Sequence, residues 1–502
     1  MKNQKYWLPV AGLLLLAALL FALEKSRTPV WATYQKEYFA EQIGKIKSEL
    51  PSVKDPAKRQ ALSHELAQWE KRKPKVVNLV LPNGKVERCL TCHLGIEEIS
   101  PSHPTNTFGC TVCHGGNALS LDERTAHADW YGQGHPGALN SASLSCGGTG
   151  PNGVSCHSGN PQAANNEVNL VKGSIMATKA GELSSVRRML GLDPGNTVPG
   201  LKPGRSAQYF PNPLNGRPQQ AGFVADCLTQ CHLNNGNLPI FRFPKGARVK
   251  STDVAHANGA LTETPAYGCE TCHVLTNATH TYVGEDVTIP HDQVGFGMVH
   301  RLTTQIPYTQ CNQCHNQGQH DPIHDIFTPR KDMQQVVNDW MKPKLSFSRR
   351  VKDYYVPGEV FARCEVSLDC IDCHTRQDVM GDGHAYQSEY SAVHIQCMDC
   401  HGTTLQLPRT KVVTSLNDPA FEEKITNPVF PPLKLGDRIL VTAKGEEMPF
   451  VRQEGNRWQV YSRISGKSFN IPLVKGSACR QNPAQQGADS CHRCHAESTA
   501  HP

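Results

Sequence analysis

Seven times in 502 residues the chain repeats one five-residue pattern, Cys-x-x-Cys-His. The copies are Cys89-Cys92-His93, Cys110-Cys113-His114, Cys269-Cys272-His273, Cys311-Cys314-His315, Cys370-Cys373-His374, Cys397-Cys400-His401 and Cys491-Cys494-His495. At these residue frequencies chance would supply roughly 0.04 copies by template counting. Two looser copies accompany them. Cys227 and Cys231-His232 have one extra residue between the thiols, and Cys146 and Cys156-His157 are separated by nine residues rich in Gly, Pro and Asn. The nine sites use all but two of the 20 cysteines. Cys364 and Cys479 remain, each upstream of a complete motif and without a motif of its own.

This spacing is the attachment signature of c-type haem. The two thiols add across the haem vinyl groups, and the histidine that follows ligates the iron from one face. Zinc does not account for the pattern, because zinc sites pair two Cys-x-x-Cys knuckles or use a distant His pair, with no His required after every second Cys. Disulfide scaffolds are not laid out with sulfurs this close in sequence at site after site. The expected cofactor is haem c in nine copies, seven on strict motifs and two on expanded ones. The expected proximal ligands are His93, His114, His157, His232, His273, His315, His374, His401 and His495.

The second axial ligand decides between carrier and catalyst. Of 23 His, nine are used in the motifs and fourteen remain. His135, His256, His300 and His384 each stand 11 or 13 residues before the next motif cysteine, and are the expected distal ligands. His103, His127, His280, His291, His320, His324 and His394 are further candidates, each weighed against an ordinary surface histidine. Met176 is weighed as a core residue. Fourteen His against nine irons predicts six-coordinate haems throughout, which relay electrons without binding substrate at iron, so no catalytic residue is assigned.

These motifs resemble those of the membrane-anchored periplasmic multihaem cytochromes of bacterial respiratory chains. The resemblance covers 89–401 and 479–495, and the amino-terminal anchor in a general way. It implies closely packed bis-His haems forming an electron wire, with redox proteins as partners, among them a quinol-oxidising membrane complex. The motif density also resembles octahaem reductases and dehydrogenases, which implies an alternative: an oxidoreductase acting on a small nitrogen or sulfur compound at one open haem. The Cys-x-x-Cys-Lys mark of the nitrite-reducing branch is absent. A second alternative is a subunit of an extracellular cytochrome filament.

At the amino terminus, Lys2 and Lys5 precede an uncharged apolar run from Tyr6 to Leu23. Eighteen helical residues span roughly 27 Å, enough for a bilayer core. Counting of positive charge places this end in the cytoplasm and the body of the chain in the periplasm or outside. The rival, a cleaved signal peptide, has its best site after Ala32, well past the run and beyond Pro29. The expectation is a single-pass anchor over 1–28 in the cytoplasmic membrane.

Phe39, Ile43, Ile46 and Leu50 line one face of a helix that Pro51 stops, and Asp55-Pro56 reads as the start of a second helix carrying Leu62, Leu66 and Trp69. Val76 to Val86, around Pro82-Asn83-Gly84, reads as a β-hairpin. Further helices are expected over about 174–190 and from Thr328-Pro329 through Met341. Short alternating runs over 430–474, Arg438–Val441, Pro449–Val451, Trp458–Tyr461 and Ser468–Ile471, predict a small antiparallel sheet. The fold expected is mainly irregular with short α-helices organised around covalent haems, plus an amino-terminal transmembrane helix and a small antiparallel β insert near the carboxyl terminus. Its segments are the anchor 1–28, a helical hairpin and β-hairpin over 29–86, a multihaem region 87–402, a β-rich insert 403–475 and a last haem segment 476–502. The formal charge of +6, with no long basic run, argues against a nucleic-acid partner. Nine haems, with eighteen propionates and nine ferric centres, would move that charge to roughly −3.

Overall fold

The computed structural model describes residues 15–16, 29–159, 166–177, 268–277, 280–293, 295–311, 327–329, 355–357, 361–362, 368–382, 393–421, 431–485, 491 and 495–497. These fall into two units, one drawn from 1–131 and 283–291, the other from 132–282 and 292–502. The division falls inside the 87–402 segment. Of the apolar amino-terminal run only Leu15 and Leu16 are described; they are helical and exposed. Among the described residues no helix is long and apolar enough to cross a membrane.

The first unit opens with a helical hairpin. Helix α1, Val30–Glu49, gives way to a tight turn over Leu50–Ser52, where Pro51 cannot supply a helical N–H. Helix α2, Pro56–Lys71, starts on Asp55, whose carboxylate accepts from the Ala57 N–H at 2.9 Å. The Trp69 ring seals the pair, edge-on to Tyr38 at 5.8 Å and tilted to Phe39 at 5.9 Å. The hairpin's inner face also buries Gln35. Its amide donates to the Lys75 and Thr91 carbonyls at 2.8 Å each and accepts from the Lys75 N–H, so α1 is tied to the turn carrying the first motif. Strands β1, Leu79–Val80, and β2, Val86–Glu87, pair antiparallel around Gly84, whose φ of +80° suits glycine. Short helices follow: one turn over Thr105–Phe108, then α3 over Thr111–His114 and α4 over Glu123–Ala126.

The second unit contains helices α5, Glu167–Gly173; α6, Cys269–His273; α7, Tyr308–Cys311; α8, Cys370–Cys373; α9, Arg376–Met380; and α10, Cys397–His401. Two small ribbons pair Phe327–Pro329 (β3) with Tyr355–Pro357 (β4) and Phe361–Ala362 (β5) with Ala496–Glu497. Its largest element is a five-stranded antiparallel meander. The strands are β6, Thr410–Val412; β7, Arg438–Val441; β8, Glu447–Glu454; β9, Arg457–Tyr461; and β10, Ser468–Ile471, in that spatial order. The strand of Ala496–Glu497 is β11. Met448, Phe450, Val451, Trp458, Val460 and Tyr461 form the buried core with Leu440 and Ile471, and Leu368, Ile395 and Cys400 pack against it from the motif side.

The expected starts of two helices need correction. Phe327–Pro329 is a strand, not a helix start. Thr328 precedes a proline, which disfavours helical backbone there, and a ribbon edge tolerates the missing N–H of Pro329. Met333, Val336, Val337, Trp340 and Met341 lie outside the described residues. Of the helix expected over about 174–190 only 174–177 are described: Ser174 is extended and Ile175–Ala177 form a single tight turn, and the preceding helix α5, Glu167–Gly173, was not expected. Residues 178–190 lie outside the described residues. Strand β6 was not expected; only Lys411 and Val412 in it are more than exposed edge, so it has little alternation to read.

Candidate haem-attachment sites

Each strict motif whose backbone is described forms one tight turn. The His N–H donates to the carbonyl of the first cysteine, at 3.1 Å for His93 to Cys89, 3.0 Å for His114 to Cys110 and 2.8 Å for His374 to Cys370. Positions i, i+3 and i+4 share one face of such a turn, which sets two sulfurs and an imidazole side by side. The expanded motif reaches the same closure by another path. Thr149 and Ser155 form an antiparallel bridge, the Gly150 N–H donates to Val154 O, and the Cys156 N–H donates to Gly148 O. The insert folds back on itself, and the His157 N–H then donates to Cys146 O at 2.9 Å, as in the strict motifs.

Five of the seven described motif histidines, His93, His157, His273, His374 and His401, share a second regularity. His93 Nδ1 donates to the fully buried Asp286 carboxylate at 2.6 Å, and the Thr288 hydroxyl lies 2.8 Å from the same nitrogen. His157 Nδ1 donates to Glu167 at 3.2 Å, His273 Nδ1 to the Thr303 carbonyl at 2.9 Å and His401 Nδ1 to the Pro472 carbonyl at 2.7 Å. His374 Nδ1 lies 3.4 Å from Asp378. An acceptor on Nδ1 fixes the tautomer and leaves the Nε2 lone pair for a metal, the usual outer support of a ligating imidazole. This donor set, two thiols and an Nε2 on one turn, fits an iron tetrapyrrole attached through two thioethers. The surroundings pull the imidazoles different ways. Burial opposes charge on His93, but Asp286 outweighs it and holds the ring above its ordinary value. Glu167 raises His157, while burial lowers His273.

Six of the eight described first cysteines meet in pairs. The thiols of Cys89 and Cys110 hydrogen-bond to each other, as do those of Cys146 and Cys269 and those of Cys311 and Cys370. The donated bond from Cys269 brings the Cys146 thiol down to about 7, while burial pushes the second cysteines Cys92 and Cys272 up to about 11. Glu87 lies with Cys89 and Cys110, their ligand atoms all within 4.8 Å of one another. That carboxylate is occupied by the backbone, since it accepts from the Cys110 N–H at 2.6 Å and the Thr111 N–H at 3.2 Å. No described cysteine, Cys113, Cys373, Cys397, Cys479 and Cys491 included, forms a disulfide.

The distal candidates divide by environment. His135 Nδ1 lies 3.1 Å from Glu270, inside the Cys269 motif, so it carries the same outer support as the proximal rings. The His127 ring centre lies 6.1 Å from that of His93, and the His127 ring stacks on Trp130 at 4.3 Å. His280 has a left-handed backbone, φ +50°, a buried Nδ1 without a hydrogen-bond partner among the described residues, and an imidazole pushed by burial down to about 4. His103 is turned to Ser100 and Phe108, and His394 sits between Asp382 at 3.3 Å and Glu446 at 3.1 Å. His291 is exposed and His300 half-buried. Cys227, Cys231, His232, His256, Cys314, His315, His320, His324, Cys364, His384 and Cys494 lie outside the described residues.

Sequence reasoning passed over the acidic residues inside and beside the motifs. Asp372 of the Cys370 motif accepts from the Arg463 N–H at 2.6 Å, and Asp399 of the Cys397 motif from the Ala443 N–H at 2.7 Å. The recurring Cys-x-Asp-Cys in these two motifs is a visible signal that could have found them. Nothing local marks Asp286 as the partner of His93. Compared with known proteins, the chain matches no family model, no curated protein and no solved structure.

Proposed function

We propose that the chain is a nine-haem c-type cytochrome that relays electrons on the outer face of the cytoplasmic membrane. In this reading the anchor over 1–28 holds it at the membrane, between a quinol-linked membrane complex and periplasmic or extracellular redox acceptors. Haem, when bound, supplies a one-electron couple at each site. The chain's own residues fix where those couples sit. The motif turns would hold each ring by two thioether bonds, and the Nδ1 acceptors would orient the imidazoles of His93, His157, His273 and His401. The paired first thiols set neighbouring attachment points in contact, which suits transfer from one site to the next.

The observation that carries the reading is the closure at Cys146. The nine-residue interval, seven longer than in a strict motif, is folded out of the way so that His157 meets Cys146 through the same hydrogen bond as the strict motifs, and its Nδ1 finds Glu167. A loop disulfide or a surface cysteine has no need of that arrangement. Intact mass of the native protein tests it. The mass should exceed the polypeptide by nine haems. Eight would remove the Cys146 site, seven would remove both expanded sites, and none would end the reading.

A further inference from the structure

We propose that His127 is the second axial ligand of the iron carried at Cys89-Cys92-His93, with Trp130 as a positioning residue that fixes its ring. The assignment rests on the haem reading above. An imidazole nitrogen lies ~2.1 Å from a metal, with its ring centre about 1.1 Å farther back, so two imidazoles opposed across one iron have centres about 6.4 Å apart. The His93 and His127 centres are 6.1 Å apart, with the ring planes tilted by 58°. His93 Nδ1 is committed to Asp286, so only its Nε2 is available to an iron.

The segment bearing His127 is held from both sides. Asp122 caps helix α4 through the Thr125 N–H, and the His127 N–H closes that helix on Glu123 O at 3.0 Å. The Asn117 N–H donates to Ala126 O at 2.9 Å, which ties the residue before His127 to the exit of the second motif. The Trp130 indole lies almost parallel to the His127 ring, 28° between planes at 4.3 Å, and limits its rotation. The other described candidates of this unit sit differently: His103 is turned to Ser100 and Phe108, and His291 is exposed.

The test uses full-length, haem-loaded protein, with haem counted by intact mass and spin state read by electron paramagnetic resonance. His127→Ala should keep the haem count, convert one haem equivalent from low to high spin, and return to low spin when imidazole is added. Trp130→Ala should shift the g-values of one low-spin haem without creating a high-spin one. His64→Ala, on the exposed face of α2, is the control and should change nothing. A fully loaded His127→Ala with no gain in high-spin signal overturns the assignment. If that variant arrives without haem at Cys89, His127→Met decides: a sulfur-to-iron charge-transfer band supports the assignment and its absence overturns it. Wild-type protein without haem would instead bring down the functional reading beneath it, a result the mass spectrum separates from the others.

Discussion

The motif turns at Cys89 and Cys110 and those at Cys370 and Cys397 have the same local shape but opposite kinds of support. In the first unit a carboxylate from outside comes to the motif backbone: Glu87 accepts from the N–H groups of Cys110 and Thr111. In the second unit a carboxylate inside the motif reaches out to the turns of a sheet: Asp372 and Asp399 accept from the N–H groups of Arg463 and Ala443. A helix of four or five residues lies far below the length at which helices hold themselves, so every such turn depends on a neighbour. The first pair depends on individual charged and polar side chains, and the second on a sheet with its own apolar core. The comparison teaches that the Cys-x-x-Cys-His pattern sets the turn and leaves its scaffold open.

The largest effect expected from breaking this difference is in the sheet. Leu440 is fully buried in the core that Leu368, Ile395 and Cys400 pack against. Leu440→Ala should cost about 2–5 kcal/mol. Protease digestion followed by haem-peptide mass mapping should then release the Cys370 and Cys397 peptides at lower denaturant, with the Cys89 and Cys110 peptides unmoved. Equal sensitivity of all four would remove the distinction.

A middle-sized effect is expected in the first unit. Glu87→Gln keeps the shape but removes the charge that receives two backbone N–H groups and the Thr111 hydroxyl. The loss should be about 1.5–3 kcal/mol, read as an earlier denaturation of the first unit and a lower haem occupancy at Cys110. Unchanged occupancy with unchanged stability would show that the turn holds without Glu87.

The smallest effect concerns acid. Burial raises the Asp418 carboxyl, but the Lys411 ammonium and the Ala420 N–H outweigh it and hold it below its ordinary value. A depressed carboxyl contributes stability above its unfolded value, ~3.9, and that contribution is lost as pH falls through the folded one. Because Lys411 is partly exposed, the contribution should be about 0.5–1 kcal/mol. Amide exchange across β7 to β9 should therefore accelerate below about pH 4, and Asp418→Asn should flatten that acid limb. An acid limb of the same depth in the variant would assign the effect to other carboxylates.

The sequence made local features plain and distant ones invisible. Pro51 and Asp55-Pro56 marked the helical hairpin, and alternation marked β7 to β10, because these are decided within a few residues. The identity of each support was hidden for the opposite reason. His93 and Asp286 stand 193 residues apart, and Arg463 lies 91 residues from Asp372. No periodicity spans such distances. The pairing of first thiols was hidden too, since it depends on how whole turns dock. Thr328-Pro329 misled because the same dipeptide that opens a helix also suits the edge of a ribbon.

The self-closing hairpin between Cys146 and Cys156 makes the interval between two motif cysteines a tolerant splice point. Its ends are joined across the base by the Thr149–Ser155 bridge, so lengthening the tip leaves the base in place, and each doubling of a flexible loop costs only about 0.6 kcal/mol. Motif spacing along a chain is thus a poor ruler for this chemistry. On the nine-haem reading proposed above, inventories that count pigments by fixed intervals will undercount them, and the turn at 150–153 offers a port where a tag or a docking peptide could be grafted beside the proposed redox centre without disturbing its anchorage.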